Sequence, residues 1–150
     1  MRIAVTEMSN DVLLRQLLDA MPSLVFVVDK DVSILDYNAA AGAFLRKGRQ
    51  QILRRRGGDV FHCIHSTDAA GGCGRGDFCK TCAIRGAVNE AFAGSKSVRR
   101  RLRMQLVSEG KTTNLDILLT ASPFSYRGHE MAVLVLEDLG KIAELQPLPR

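Results

Sequence analysis

The order of elements read from this 150-residue chain predicts an α+β protein: one five-stranded antiparallel sheet, preceded by an N-terminal amphipathic helix. Three observations carry that expectation. A continuous β-branched and aromatic run, LVFVV at 24–28, is followed after Asp29-Lys30-Asp31 by a second strand-like segment. A helical stripe of Ala83, Ile84, Ala87, Val88, Ala91 and Phe92 closes the middle of the chain. Three further β segments, parted by short glycine-bearing turns, complete it.

The length suits a single domain whose core needs no disulfides. An apolar content of 46% and a charged content of 25% are those of a soluble globular protein. No apolar run approaches the roughly 20 residues that cross a bilayer, and the opening MRIAVTEMSNDV has no signal-peptide core. A cytoplasmic protein is expected, and there cysteines stay reduced. The net charge of +5 invites a nucleic-acid partner, but the arginines fall mainly in two short runs, 54–56 and 99–103. The solvated face of a helix and of a strand account for these. Without tryptophan, and with two tyrosines, there is no stacking platform, so nucleic-acid binding is the weakest of the function classes.

Taken in order, Asn10 or Ser9 can cap a helix that begins near Asp11, carries Val12, Leu13, Leu14, Leu17, Leu18 and Met21 as one apolar stripe, and ends at Pro22. Such a helix covers a face of its domain or pairs with its copy. LVFVV reads as a strand buried on both sides, and residues 32–37 return as the second strand of a hairpin. Asn38 is the expected N-cap of a small-residue helix at 39–45. A short helical piece follows, with Ile52 and Leu53 inward, Arg54, Arg55 and Arg56 outward, and Gly57-Gly58 as its break. A helix from Asp77 to a stop at Gly94 would set Cys79 and Cys82 on one face of its first turns. In the strand at 97–108, Val98, Leu102, Met104 and Leu106 alternate with an outer row of arginines. Strands at 113–123 and 131–136 follow, and an exit helix starts at 141. The expected division is an N-terminal helix at 1–22, a domain at 23–140 and an exit helix with tail at 141–150.

All four cysteines crowd into residues 61–82, as C-x9-C-x5-C-x2-C: Cys63, Cys73, Cys79 and Cys82. Three explanations stand: a shared metal or cluster, a reversible dithiol pair, or packing. In a cytoplasmic chain the first is favoured. Four thiolates suit Zn²⁺ or an iron–sulfur cluster equally. Only Cys79 and Cys82 have the spacing of a zinc half-site, and the full spacing matches no specific cluster motif. His62 and His65 flank the first cysteine and read as polar loop residues, because four thiols already complete a tetrahedral site. Glycines 71, 72, 74 and 76 suit a backbone wrapped tightly around a centre.

The segment LLDAMPSLVFVVDKDVSILDYNAAAGAFL and the ending SPFSYRGHEMAVLVLEDLGKIAEL resemble the PAS domain family, with its helix, hairpin, Asn-Ala pair and terminal Glu-Asp. The segment FHCIHS…GGCGRGDFCKTCAIRGAV is similar to a cysteine-bearing subset of bacterial sensor PAS domains found in histidine kinases and related regulators. The resemblance implies helices on one face of the sheet and a ligand or cofactor cavity between them. Phe26, Phe44, Ile84 and Phe92 are the cavity candidates, though core packing explains them equally well. It further implies signal sensing, homodimerisation through the N-terminal helix, and an output partner (histidine kinase, cyclase or regulator) not present in this chain. Some sensor PAS domains hold iron–sulfur clusters. The competing expectation is a zinc-stabilised interaction module without a redox role. Catalysis is not expected: the glycines at 71–76 lack the strand and Lys-Ser/Thr of a phosphate loop, and Ala83 after Cys82 rules out a haem-attachment motif.

Overall fold

Asp11, not the expected Asn10 or Ser9, caps the first helix, because its carboxylate reaches the Leu14 N–H at 3.0 Å. The computed structural model describes Met8 and residues 10–140; Ser9, the exit helix expected from 141 and the tail to 150 lie outside the described residues. Helix α1 spans Val12–Ala20 and stops before Pro22. Its apolar stripe is only half used. Leu18 is buried and Leu14 packs on the sheet, whereas Val12, Leu13 and Leu17 are 69%, 67% and 57% exposed. Arg15 fixes the helix to the next elements, donating to the fully buried Asp36 carboxylate at 3.0 Å and to the Tyr37 carbonyl at 2.7 Å.

Strands β1 (Leu24–Val28) and β2 (Ile34–Tyr37) form the expected antiparallel hairpin. A register shift between Val27 and Val28, together with Val32 at φ 62°, delays β2 by two residues. The continuous apolar run in β1 is explained by two cores. Phe26 and Val28 face the main one; Val27, on the other side of the strand, joins Met8, Leu35 and Met131 in a second. That second core is the face on which α1 lies. Strands β3 (Ser97–Ser108), β4 (Lys111–Tyr126) and β5 (His129–Asp138) complete a five-stranded antiparallel sheet in the order β2-β1-β5-β4-β3. Val98 departs from the expected alternation: a register shift between Ser97 and Arg100 leaves it 63% exposed and buries Ser97 instead.

The main core is covered by α2 (Ala39–Leu45), α3 (Arg49–Ile52), α4 (Gly57–Phe61) and α5 (Ala83–Phe92). Ala87, Val88 and Ala91 of α5 are buried, as the stripe predicts. Two helical boundaries differ from expectation. Gly57-Gly58 opens α4 rather than ending a helix. The helix expected from Asp77 is split into a 3-10 turn at Asp77–Thr81 and α5, with Cys82 in extended conformation as the cap between them.

Residues 54–64 run across the sheet from one edge to the other. At the β2 edge, the Ile34 N–H donates to the Arg55 carbonyl at 2.9 Å and the Arg54 N–H to the Ile34 carbonyl at 2.7 Å. At the β3 edge, the Ile64 N–H donates to the Gln105 carbonyl at 2.9 Å and the Val107 N–H to the His62 carbonyl at 2.8 Å. Between these anchors, α4 buries Val60 and Phe61.

Asn38 caps α2 as expected, but its fully buried amide does more than cap. Its oxygen accepts from Ala41 N at 3.0 Å and Val25 N at 3.1 Å, and its nitrogen donates to the Leu18 and Ser23 carbonyls at 2.9 Å and to that of Met21 at 3.2 Å. Replacing Asn38 by Ala strands buried backbone groups in three elements, so Asn38→Ala is expected to cost about 2–4 kcal/mol in urea unfolding. A loss below about 1 kcal/mol would show that water replaces these bonds.

Candidate functional site: a cavity lined by four cysteines

A cavity of about 360 Å³ lies between the sheet and the helical layer, and Cys63, Cys73, Cys79 and Cys82 all line it. Its floor is apolar: Phe26 and Val28 from β1, Ile34 from β2, Leu102 and Met104 from β3, and Leu134 from β5. The cysteines, Ile84 and Arg85 belong to the opposite wall. Of the four expected cavity residues, Phe26 and Ile84 line it. Phe44 and Phe92 do not; they pack at the margin of the core, Phe44 against Phe61 at 5.9 Å between ring centres and Phe92 beneath the Lys30 ammonium at 5.6 Å.

Each cysteine reaches the cavity by a different device. Cys63 follows the C-cap of α4, where His62 takes φ 60°, and forms a bridge with Leu106 on the β3 edge. Cys73 is drawn in by its own N–H, which donates to Asp59 Oδ1 at 2.9 Å. Cys79 lies in the 3-10 turn, and its sulfur accepts from the Gly74 N–H at 3.2 Å. Cys82 caps α5. The α4 backbone makes room for them, since a Cβ at Gly58 would stand 2.7 Å from Cys73 Sγ and 3.4 Å from Cys63 Cβ. Gly58, the second glycine of the apparent sequence break, is therefore a packing requirement of the cysteines, whereas a Cβ at Gly57 would meet Val32 instead.

The thiols feel one another. Burial pushes the Cys63 thiol up, one backbone N–H from His65 opposes this, and the neighbouring Cys82, Cys73 and Cys79 add to the rise as like charges. Arg85 supplies the opposite charge, with Nη2 donating to Cys73 Sγ at 3.1 Å and Nη1 to Asp31 Oδ1 at 2.9 Å. Burial works against the Arg85 charge, but its bonds to Cys73 and Asp31 outweigh that and raise its pKa. Asp31 also takes Arg56 and Arg75; burial lifts its pKa, and the hydrogen bonds from Arg75 and Arg85 hold it below the ordinary value nonetheless. Arg56, expected to point outward, is thus part of the site's surroundings, and neither Arg85 nor Asp31 was singled out as functional in the sequence.

The histidines separate. His62 is exposed and accepts from Lys47 Nζ at 2.9 Å. His65 lines the cavity, stacks on Phe78 with ring centres 4.5 Å apart, and lies 2.8 Å from Asp68 Oδ2. The donor set of four thiols flanked by N–H donors fits a thiophilic metal. Among the described residues, however, no three His, Cys, Asp or Glu side chains converge on one position for a single ion. The arginine row on β3 is largely matched in charge: Arg99 pairs with Glu137, Arg100 with Glu90 and Arg103 with Asp116. No helix among the described residues is long and apolar enough to cross a membrane.

A family model described as "PAS fold" matches residues 13–72. Among solved structures, the PAS domain of nitrogen regulation protein NR(II) from Vibrio parahaemolyticus is similar over 85% of this chain and 98% of its own, at 14% identity and a TM-score of 0.58. The PAS domain of BvgS from Bordetella pertussis is similar over 91% and 92%, at 19% identity and a TM-score of 0.53. A PAS domain from a two-component sensor histidine kinase is similar over 89% and 98%, at 9% identity and a TM-score of 0.54. No curated protein sequence matches the chain. The sheet order, the helical layer and these likenesses agree: the chain has the PAS fold.

Gly58 separates site from fold. Alanine is the better residue in a helix by about 0.5–1 kcal/mol, yet it would collide with Cys73. Gly58→Ala is expected to keep a cooperative thermal transition while Cys73 reacts faster with Ellman's reagent, followed by mass spectrometry. Unchanged Cys73 reactivity would mean that the sulfur does not occupy the space over Gly58.

Proposed function

We propose that this chain is the sensory domain of a signal-transduction protein, with Cys63, Cys73, Cys79 and Cys82 forming a metal-binding or redox-responsive centre in its cavity. One observation carries the proposal: four thiols spread over 20 positions of chain (63–82) face a single cavity that is otherwise mostly apolar. Packing alone does not call for four sulfurs and a guanidinium there. A lone zinc ion draws four sulfurs to about 2.3 Å from one point, whereas a four-iron cluster takes each sulfur on a separate iron. The likeness of the cysteine-bearing segment to that of sensor PAS domains, some of which hold iron–sulfur clusters, favours the cluster. When bound, such a group would supply reversible one-electron chemistry. The chain's own part is to hold the thiolates through Gly74 N–H and Arg85, to exclude water with Phe26, Ile34 and Leu134, and to link the cavity wall to both sheet edges through residues 54–64.

A second reading has its own support: Cys63 and Cys73 both approach the same point over Gly58, which brings them into one neighbourhood as candidates for a reversible disulfide. A structural zinc without a redox role is the third. The proposal includes a cytoplasmic setting, an output partner such as a histidine kinase, and a homodimer joined through the exposed Val12, Leu13 and Leu17 of α1.

Metal analysis and visible absorption of protein purified without oxygen, then exposed to air, separate these readings. The expected result is iron with broad visible absorption that bleaches in air. Zinc without colour would leave a structural clamp, and a metal-free protein whose thiol count falls on oxidation would leave the disulfide. No metal and no change in thiol count would sink the sensory centre. The dimer is checked by sedimentation: the double change Leu13→Glu, Leu17→Glu is expected to yield monomer, and an unchanged mass would remove α1 from the interface.

A further inference from the structure

Three guanidinium groups converge on one carboxylate beside the cysteines. Asp31, in the β1–β2 turn, accepts from Arg56 Nε, Arg75 Nη2 and Arg85 Nη1, each at 2.9 Å. One carboxylate cannot balance three cations, and the spare donors of Arg56 and Arg85 are turned toward the segment at 71–73. Arg85 Nη2 donates to Cys73 Sγ at 3.1 Å, and Arg56 Nη1 to the Cys73 carbonyl at 3.2 Å and that of Gly71 at 2.6 Å. Arg85 is the most enclosed of the three, its side chain 15% exposed against 25% for Arg56 and 45% for Arg75. Gly74 secures its position, because a Cβ there would run into the Arg85 guanidinium. A planar fork held between a carboxylate and a sulfur is satisfied best when the sulfur is anionic, as in a free or metal-bound thiolate.

The turn at the other end of this bridge is poised to respond. Val32 is a β-branched residue at φ 62°, a conformation that such side chains rarely adopt. It is nevertheless 3% exposed and lines the cavity. The turn is held against that strain by Asp29 Oδ1, which accepts the N–H groups of Asp31 and Ser33 at 2.9 Å, and by the arginines on Asp31. Withdrawal of the Cys73 sulfur as an acceptor would leave Arg85 held by Asp31 and alter the grip on a strained loop.

We propose that Arg85 is a positioning residue that ties the Cys73 sulfur to the β1–β2 turn, so that engagement or loss of that sulfur is passed through Asp31 to the edge of the sheet. The inference deepens the reading of the cysteines as a sensory centre and rests on it for its purpose.

Amide hydrogen exchange at Asp31, Val32 and Ser33 tests it in the reduced full chain, comparing wild type, Cys73→Ala, Arg85→Gln and the double variant. Each single change is expected to raise exchange at the turn by about fivefold, with the double no faster than Arg85→Gln alone. Unaltered exchange in Cys73→Ala, or effects that multiply in the double, would overturn the coupling. If Arg85→Gln does not fold, Asp31→Asn takes its place: Cys73→Ala should then add nothing further, and an added effect counts against the proposal. Arg85→Lys keeps the charge without the fork and is expected to resemble Arg85→Gln; wild-type exchange with lysine would overturn the bridging role. A protein lacking metal and redox response loses the sensory centre, whereas the coupling is judged by the exchange of Cys73→Ala alone.

Discussion

A single buried carboxamide holds the front of this molecule together. Asn38 joins the end of α1, the start of β1 and the first turn of α2, three elements with no covalent reason to meet at one point. Both ends of the amide are needed, one as acceptor and one as donor, so neither an acid nor an apolar residue serves. The α1 helix is thereby fixed across the second core while half of its own apolar stripe stays open. Buried polar groups stabilise only when fully satisfied, and here the satisfaction spans the whole beginning of the domain.

The cysteine cavity depends on a different kind of constraint. Residues 54–64 are bonded to both outer strands, so the wall that carries Cys63, and through Asp59 also Cys73, is not a free loop. A displacement at the thiols bears on β3 through His62 and Ile64, and on the β1–β2 turn through Arg85 and Asp31. The site and the sheet are therefore mechanically one object.

Much of this was legible in the sequence where the signal is local. The LVFVV run, the α5 stripe and the turns at Glu109-Gly110 and Arg127-Gly128 each carry their own pattern, and the cysteine crowding marks the site. What could not be read depends on partners far along the chain. Asp31 looks like a turn residue until Arg56, Arg75 and Arg85 arrive from 25, 44 and 54 positions away. Arg85 falls off the apolar stripe of its helix and so reads as solvated. Gly57-Gly58 reads as a break because glycine disfavours helices; the actual constraint at Gly58 is the sulfur of Cys73 pressed against the backbone, and at Gly57 the side chain of Val32. Phe44 and Phe92 have the right residue type, but the position of a side chain around its helix relative to the cavity is settled only by packing.

The edges of the sheet give the arginine row a purpose apart from any ligand. Strand β3 is an outer strand, and its later half is already occupied by the backbone of residues 62–64. Its earlier half carries Arg99, Arg100, Arg101 and Arg103. Unpaired strand edges invite another chain to add on, and closely spaced like charges repel such a strand. The run of positive charge that hints at nucleic acid in the bare sequence thus lies on the open stretch of the β3 edge. Charged side chains there, most of them held by carboxylates of their own chain, make a poor template for a further strand.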